Sequence, residues 1–166
     1  MEPAAGDRAL GRKRIARILA GIHAGVLAGV AILAWMVLIS LIAGESAWRI
    51  PNLLASVFYG PQALRGGFGR VTLAGISLHL LQCALAAVVF SVWMPEAPYR
   101  RTLLVSLLYA AALAWAANSF VWRSLYPFLP SLMPAGAVWT GFGLFGLFLS
   151  FVPWLRRRLE GEFLLN

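Results

Sequence analysis

Charge is what this sequence has least of. Lys, Arg, Asp and Glu make up 12% of its 166 residues, about half the share carried by a soluble globular domain. Acid is the scarcer sign, with six Asp and Glu against fourteen Lys and Arg. Glu45 and Glu96 sit at the edges of long apolar runs, and Glu2, Asp7, Glu160 and Glu162 are terminal. A proton-coupled carrier keeps an ionisable group where the transported charge passes, and acid–base or metal-assisted hydrolysis needs grouped carboxylates. The absence of acid from the runs argues against both classes while leaving a passive pathway open. Cysteine is nearly absent too. Cys83 stands alone in the middle of a run, which excludes an intrachain disulfide, a CxxC redox pair and a thiolate metal cluster.

What fills the chain instead is hydrocarbon. The hydrophobic class reaches 61% and the mean hydropathy is +0.79. Four runs, 18–43, 71–94, 102–122 and 133–155, match the roughly 20 residues a helix needs to cross a bilayer. Backbone amides inside hydrocarbon must be paired within their own element or in a closed barrel, and the period-two alternation of barrel strands is missing. The fold class expected is an all-α integral membrane protein, one transmembrane domain over 1–166 with four helices in a bundle.

Orientation follows the basic residues near the span ends. Arg8, Arg12, Lys13, Arg14, Arg17, Arg100, Arg101, Arg156, Arg157 and Arg158 fall on one side, and Arg49, Arg65, Arg70 and Arg123 on the other. Ten against four predicts a cell-membrane protein with both termini cytoplasmic. The first run, at 26 residues, is too long for the 7–15-residue core of a signal peptide, so it reads as a retained span despite the small-residue stretch IAGES. Because the positive-inside bias already accounts for the net charge of +8, membrane lipids are the expected partners and nucleic acid is not.

The 27-residue connection between the first two runs is oily where a solvent loop would be polar. In IPNLLASVFYG, Ile50, Leu53, Leu54, Val57 and Phe58 recur at helical spacing, while Asn52, Ser56 and Tyr59 lie off that stripe. Pro51 suits a first turn, and Gly60 with Pro61 ends the run. A helix over 50–60 reaches only about 15 Å, so it is expected to lie flat at the interface, or else to re-enter and return. The third connection, VWRSLYPFLPSLMP, opens on Trp122 and Arg123 as the first opens on Trp48 and Arg49, which hints at two related hairpins and an apolar outer face. GGFGR lacks the lysine and the preceding strand of a phosphate loop and reads as a flexible hinge.

Small residues dominate the candidate contacts. Gly21, Gly25 and Gly29, at spacing four, make a groove that another helix can approach closely. Further small residues follow on the third run, Ala110, Ala111, Ala112, Ala114, Ala116 and Ala117, and on the fourth, Gly136, Gly141, Gly143 and Gly146. Such faces serve internal packing or a partner.

The only histidines, His23 and His79, each lie in a run. A haem held between them is disfavoured, since their depths differ by about 10 Å. No cofactor is therefore expected. His79 shares one helix face with Gly75 and Cys83, which makes His79, Cys83 and, more weakly, His23 the candidates for any ligand site. Ser77 cannot serve His79 as a nucleophile from two residues away, and GISLHL is not a nucleophile elbow. Arg49, Arg65, Arg70 and Arg123 are candidates for headgroup or anion contact. Most tryptophans fall near run ends as belt anchors, with Trp35 and Trp115 deeper.

The functional expectation is non-enzymatic: an accessory or assembly subunit that docks on other integral membrane subunits or on itself. The alternative is a binding or transport module for a lipid or apolar small molecule.

Overall fold

A computed structural model describes the backbone of residues 5–125 and 134–165, with side chains over 10–122, 124–125 and 134–161. It is all helix, with no strand among the described residues. The elements are α1 (Ala5–Ile42), α2 (Arg49–Tyr59), a 3₁₀ turn (Pro61–Arg65), α3 (Arg70–Trp93), α4 (Tyr99–Ala116), a π turn (Ala117–Val121), α5 (Trp122–Leu125), α6 (Ala135–Leu149) and α7 (Val152–Leu165). Four segments are long and apolar enough to cross a membrane: Leu10–Ile42, Arg70–Trp93, Tyr99–Val121 and Ala135–Gly161.

The basic amino-terminal stretch continues into α1 without a break, so the helix starts well before the apolar run at 18. It ends at Gly44, whose positive φ of 74° lets the chain turn, and α2 stops the same way at Gly60 with φ of 69°.

The fourth run is not one helix. The Ser150 N–H is shared between the Gly146 and Leu147 carbonyls, at 3.2 Å each, and Phe151 falls back to an i−3 hydrogen bond to Phe148 at 3.2 Å. Pro153 has no N–H to offer the Leu149 carbonyl, and its ring crowds that turn. The proline therefore separates α6 from α7, where it occupies the first turn, a position that tolerates it. The third run also departs from a plain helix. Its carboxyl end widens into the π turn Ala117–Val121, and the Asn118 side-chain amide donates back to the Ala114 carbonyl at 2.8 Å.

Helix α1 is the hub, packing along α3 on one side and along α6 and α7 on another, while α4 packs on α6. Its buried face is made of small residues. Ala16, Ala20, Ala24 and Ala28 are at most 1% exposed, and Gly21, Gly25 and Gly29 lie buried beside them. A Cβ on Gly25 would sit 2.6 Å from both the Cα of Ala84 and the carbonyl oxygen of Cys83, so only glycine permits this approach of α1 to α3. At Gly146 a Cβ would meet the Ser106 carbonyl at 3.0 Å and the Ala110 methyl at 3.1 Å, which marks the second close seam, α6 on α4. The large core side chains, Phe90, Phe145, Leu149 and Val152, fill the space among these small faces.

Consequently α3 and α4, although consecutive, lean on different neighbours. They meet toward the end where their connection lies, through the Tyr109 hydroxyl donating to the Ala86 carbonyl at 2.9 Å and the rings of Phe90 and Tyr109 at 5.3 Å. Toward the other end they diverge, and α2 fills part of the opening.

Arg156, on α7, closes the first of these ends. It is 2% exposed, and its guanidinium donates to the carbonyls of Ser91 and Met94. In a continuing helix the Ser91 carbonyl would accept from residue 95, which is Pro95 and has no N–H. The arginine supplies the missing donor and places positive charge at the carboxyl end of α3. The Ser91 hydroxyl in turn donates to the Arg17 carbonyl at 2.7 Å, tying α3 to α1.

Candidate binding cavity

Helix α2 is held by a polar pin. Asn52, expected off the buried stripe, is 1% exposed. Its amide donates to the Gly66 carbonyl at 2.9 Å, and its carbonyl oxygen accepts from the Thr72 hydroxyl at 2.7 Å. Thr72 accepts from the Gly69 N–H at 3.1 Å and so caps α3. A buried amide is tolerable because its bonds are made, which is why an apolar-stripe argument misplaced it. The same bonds tie down GGFGR, which is a pinned turn and not the free hinge expected from its glycines. Trp48 and Phe68, with ring centroids 4.8 Å apart, close the loop on itself.

The expected oily stripe is divided. Ile50 and Leu53 are 3% and 0% exposed and Leu54 is half-buried, whereas Val57, Phe58 and Tyr59 face outward. The inward residues form a small cluster with Val138, joined by Met36, Trp122 and Phe142. A Cβ on Gly75 would overlap the Pro51 carbonyl oxygen, so glycine is what lets α2 lie directly on α3. Gly75 is five residues into α3, which sets this contact about 8 Å along that helix.

Below α2, between the diverging α3 and α4, lies a half-open cavity of about 360 Å³. Its walls come from Met36 on α1, Ile50 and Leu54 on α2, Leu113 and Ala116 on α4, Trp122 on α5, and Val138, Gly141 and Phe145 on α6. The only polar side chains lining it, among the described residues, are His79 and Gln82 on α3, beside the thiol of Cys83. Among the described residues no Asp, Glu, Lys or Arg lines it. The π turn contributes Ala117 and Val121, which places the one irregular stretch of α4 at the cavity wall.

His79 and Cys83, paired on one helix face in the sequence, are together here, with Sγ 3.6 Å from Nε2. The same nitrogen reaches the Gly29 carbonyl at 3.2 Å. Cys83 is 8% exposed and in no disulfide. His23 is elsewhere, exposed on the far face of α1, with Nδ1 bonded to the Leu19 carbonyl of its own helix at 2.8 Å. It takes no part in the cavity. Among the described residues no three His, Cys, Asp or Glu side chains come together.

The arginines on the α2 side do not form one cluster. Arg49 is half-buried and paired with Glu45, one turn earlier. Arg65 and Arg70 are exposed, and the side chain of Arg123 lies outside the described residues, as does most of the third connection, 126–133. Trp35 donates its indole N–H to the Ala137 carbonyl at 2.9 Å, joining α1 to α6, while Trp115 is 62% exposed and packs edge-on against Phe120. Trp122 is therefore the tryptophan of the cavity.

Gln82 and Phe145 carry no expectation from the sequence, and Trp122 reads there only as the opening of the third connection and a belt anchor. Gln82 was the one signal within reach, a carboxamide in the middle of an apolar run. No family model, no curated protein and no solved structure matches this chain.

Proposed function

We propose that this is a multi-pass protein of the cell membrane, with both termini cytoplasmic, that binds a lipid or other apolar small molecule without transforming it. The cavity between α3 and α4 carries the reading. Its volume of about 360 Å³ falls within the 300–1,000 Å³ of small-molecule sites, and its make-up, mostly apolar with a few convergent polar groups, matches theirs. Hydrocarbon can reach it sideways, because α3 and α4 diverge beside it. Ten of the fourteen basic residues lie at the end of the bundle opposite α2, which supports an outward-facing α2. In that orientation α2 is a partly re-entrant helix, sunk beside α3 and roofing the cavity, with exposed Arg65 and Arg70 at headgroup level.

The accessory-subunit reading drew its positive support from small-residue faces. The Gly21, Gly25 and Gly29 groove is filled by α3 and the Gly146 face by α4, so neither is offered to a partner. The test is solvent extraction and mass spectrometry of the protein purified in mild detergent, beside Ala116→Phe, which fills the cavity from α4. A co-purifying apolar compound that is stoichiometric in the wild type and depleted in the variant supports binding. Stoichiometric foreign subunits with an empty cavity overturn it and restore the accessory role.

A further inference from the structure

The polar wall of the cavity says more about its occupant than the apolar walls do. The Gly29 carbonyl has no proton, so the 3.2 Å contact with His79 requires Nε2 to carry the hydrogen. In the neutral ring that fixes the tautomer, and Nδ1, on the ring edge turned away from Gly29, is left with a lone pair. Nδ1 has no hydrogen-bond partner among the described residues. Three residues on, Gln82 lies one helical turn away on the same wall, and its carboxamide also has no partner among the described residues. In a hydrocarbon setting two unmet polar groups are costly.

One chemical group answers both. Nδ1 can only accept, whereas the Gln82 amide can donate. A hydroxyl donates to the first and accepts from the second. A ketone or quinone carbonyl only accepts and leaves Nδ1 unmatched. A phosphate or carboxylate would bring charge to a site with no cationic side chain among the described residues. We propose that the cavity holds a neutral hydroxyl-bearing lipid, a long-chain alcohol or a hydroquinone. Its hydroxyl sits between His79 and Gln82, and its apolar body extends toward Ile50, Leu54 and Trp122. This rests on the binding reading above and names the chemistry of that same site.

The probe pair is a hexadecanol carrying a diazirine in its chain and the methyl ether of the same compound, offered to the full-length protein in phosphatidylcholine nanodiscs. Crosslinked peptides are mapped by mass spectrometry. The alcohol should label peptides of α3, α4 and α6 at the cavity, with the ether about 10-fold weaker, the loss of one hydrogen bond and the acceptor it leaves unmet. His79→Phe, which removes that acceptor, should bring the alcohol down to the ether, whereas Gln82→Leu, which removes a donor both oxygens can use, should weaken both probes. Equal labelling of the wild-type cavity by both probes overturns the hydroxyl assignment and leaves an apolar site standing. A preference that survives His79→Phe also overturns it, because the discrimination then comes from elsewhere. Absence of cavity labelling by either probe overturns the binding reading itself.

Discussion

Gly25→Ala puts the close contact of α1 with α3 under a quantitative test. In a helix interior alanine is better than glycine by about 1 kcal/mol, so propensity alone says the change stabilises. Packing says the opposite. The new methyl would lie 2.6 Å from the Ala84 Cα and the Cys83 carbonyl and 2.8 Å from the Ala87 methyl. Two of these are backbone and the third is a Cβ, so no flexible side-chain end can swing aside. Relief requires α1 and α3 to part by about 1 Å, which forfeits a quarter to a half of each contact's attraction along the seam. Overpacking costs about 1–3 kcal/mol, and the rigidity of this contact puts the site near the top of that range. The net is a loss of about 2 kcal/mol, or about 4–8 °C in melting for a chain of this size. Cys83, the single cysteine and 8% exposed on the same seam, is a built-in reporter. Its alkylation by a fluorogenic maleimide during a thermal ramp in detergent reads the unfolding directly. Gly143→Ala is the control, since a Cβ there meets nothing within 4 Å, and it should be neutral or slightly stabilising. If Gly25→Ala melts with or above Gly143→Ala, the claim that close backbone approach sets the α1–α3 seam is refuted.

The remaining expectations concern the two ends of the bundle. Asn52→Leu removes the pin to Gly66 and Thr72 and should lower the amide-exchange protection of α2 about tenfold, at a cost of about 1–2 kcal/mol. Unchanged protection would mean that Ile50 and Leu53 hold α2 alone. Arg156→Lys keeps the charge but cannot span the Ser91 and Met94 carbonyls as the planar guanidinium does. It should melt below wild type by about 1.5–3 kcal/mol, whereas equal melting would mean that charge alone caps α3. Single cysteines placed at Gly67 and at Arg100 in a Cys83→Ala background should react with a membrane-impermeant maleimide from opposite sides of intact cells or vesicles. Gly67 should label from outside and Arg100 only after permeabilisation, and the reverse pattern would invert the topology.

What could be read ahead of the structure followed from rules that act along one helix. Run length located four long apolar helices, and the spacing of Gly21, Gly25 and Gly29 marked a close seam, as did Gly75, His79 and Cys83 a shared face. The stripe of Ala16, Ala20, Ala24 and Ala28 beside that seam is equally legible at the same spacing. The breaks were harder. Pro153 was visible, yet a proline near the end of a long apolar run can kink, end or merely flank a span, and only the Leu149 carbonyl's lost donor decides between them. Asn52 and Arg156 show why local periodicity fails for polar groups. Each is buried because of what it meets across the fold, Thr72 from 20 residues away for one and the proline-orphaned Ser91 carbonyl from 65 residues away for the other. The cavity belongs to the same class of fact. It exists because two small-residue seams draw α3 to α1 and α4 to α6, so that neighbours in sequence are pulled apart in space. Neither seam predicts a void by itself. Their combination does, and it leaves His79 and Gln82 facing a space that an unbroken α3–α4 hairpin would have closed.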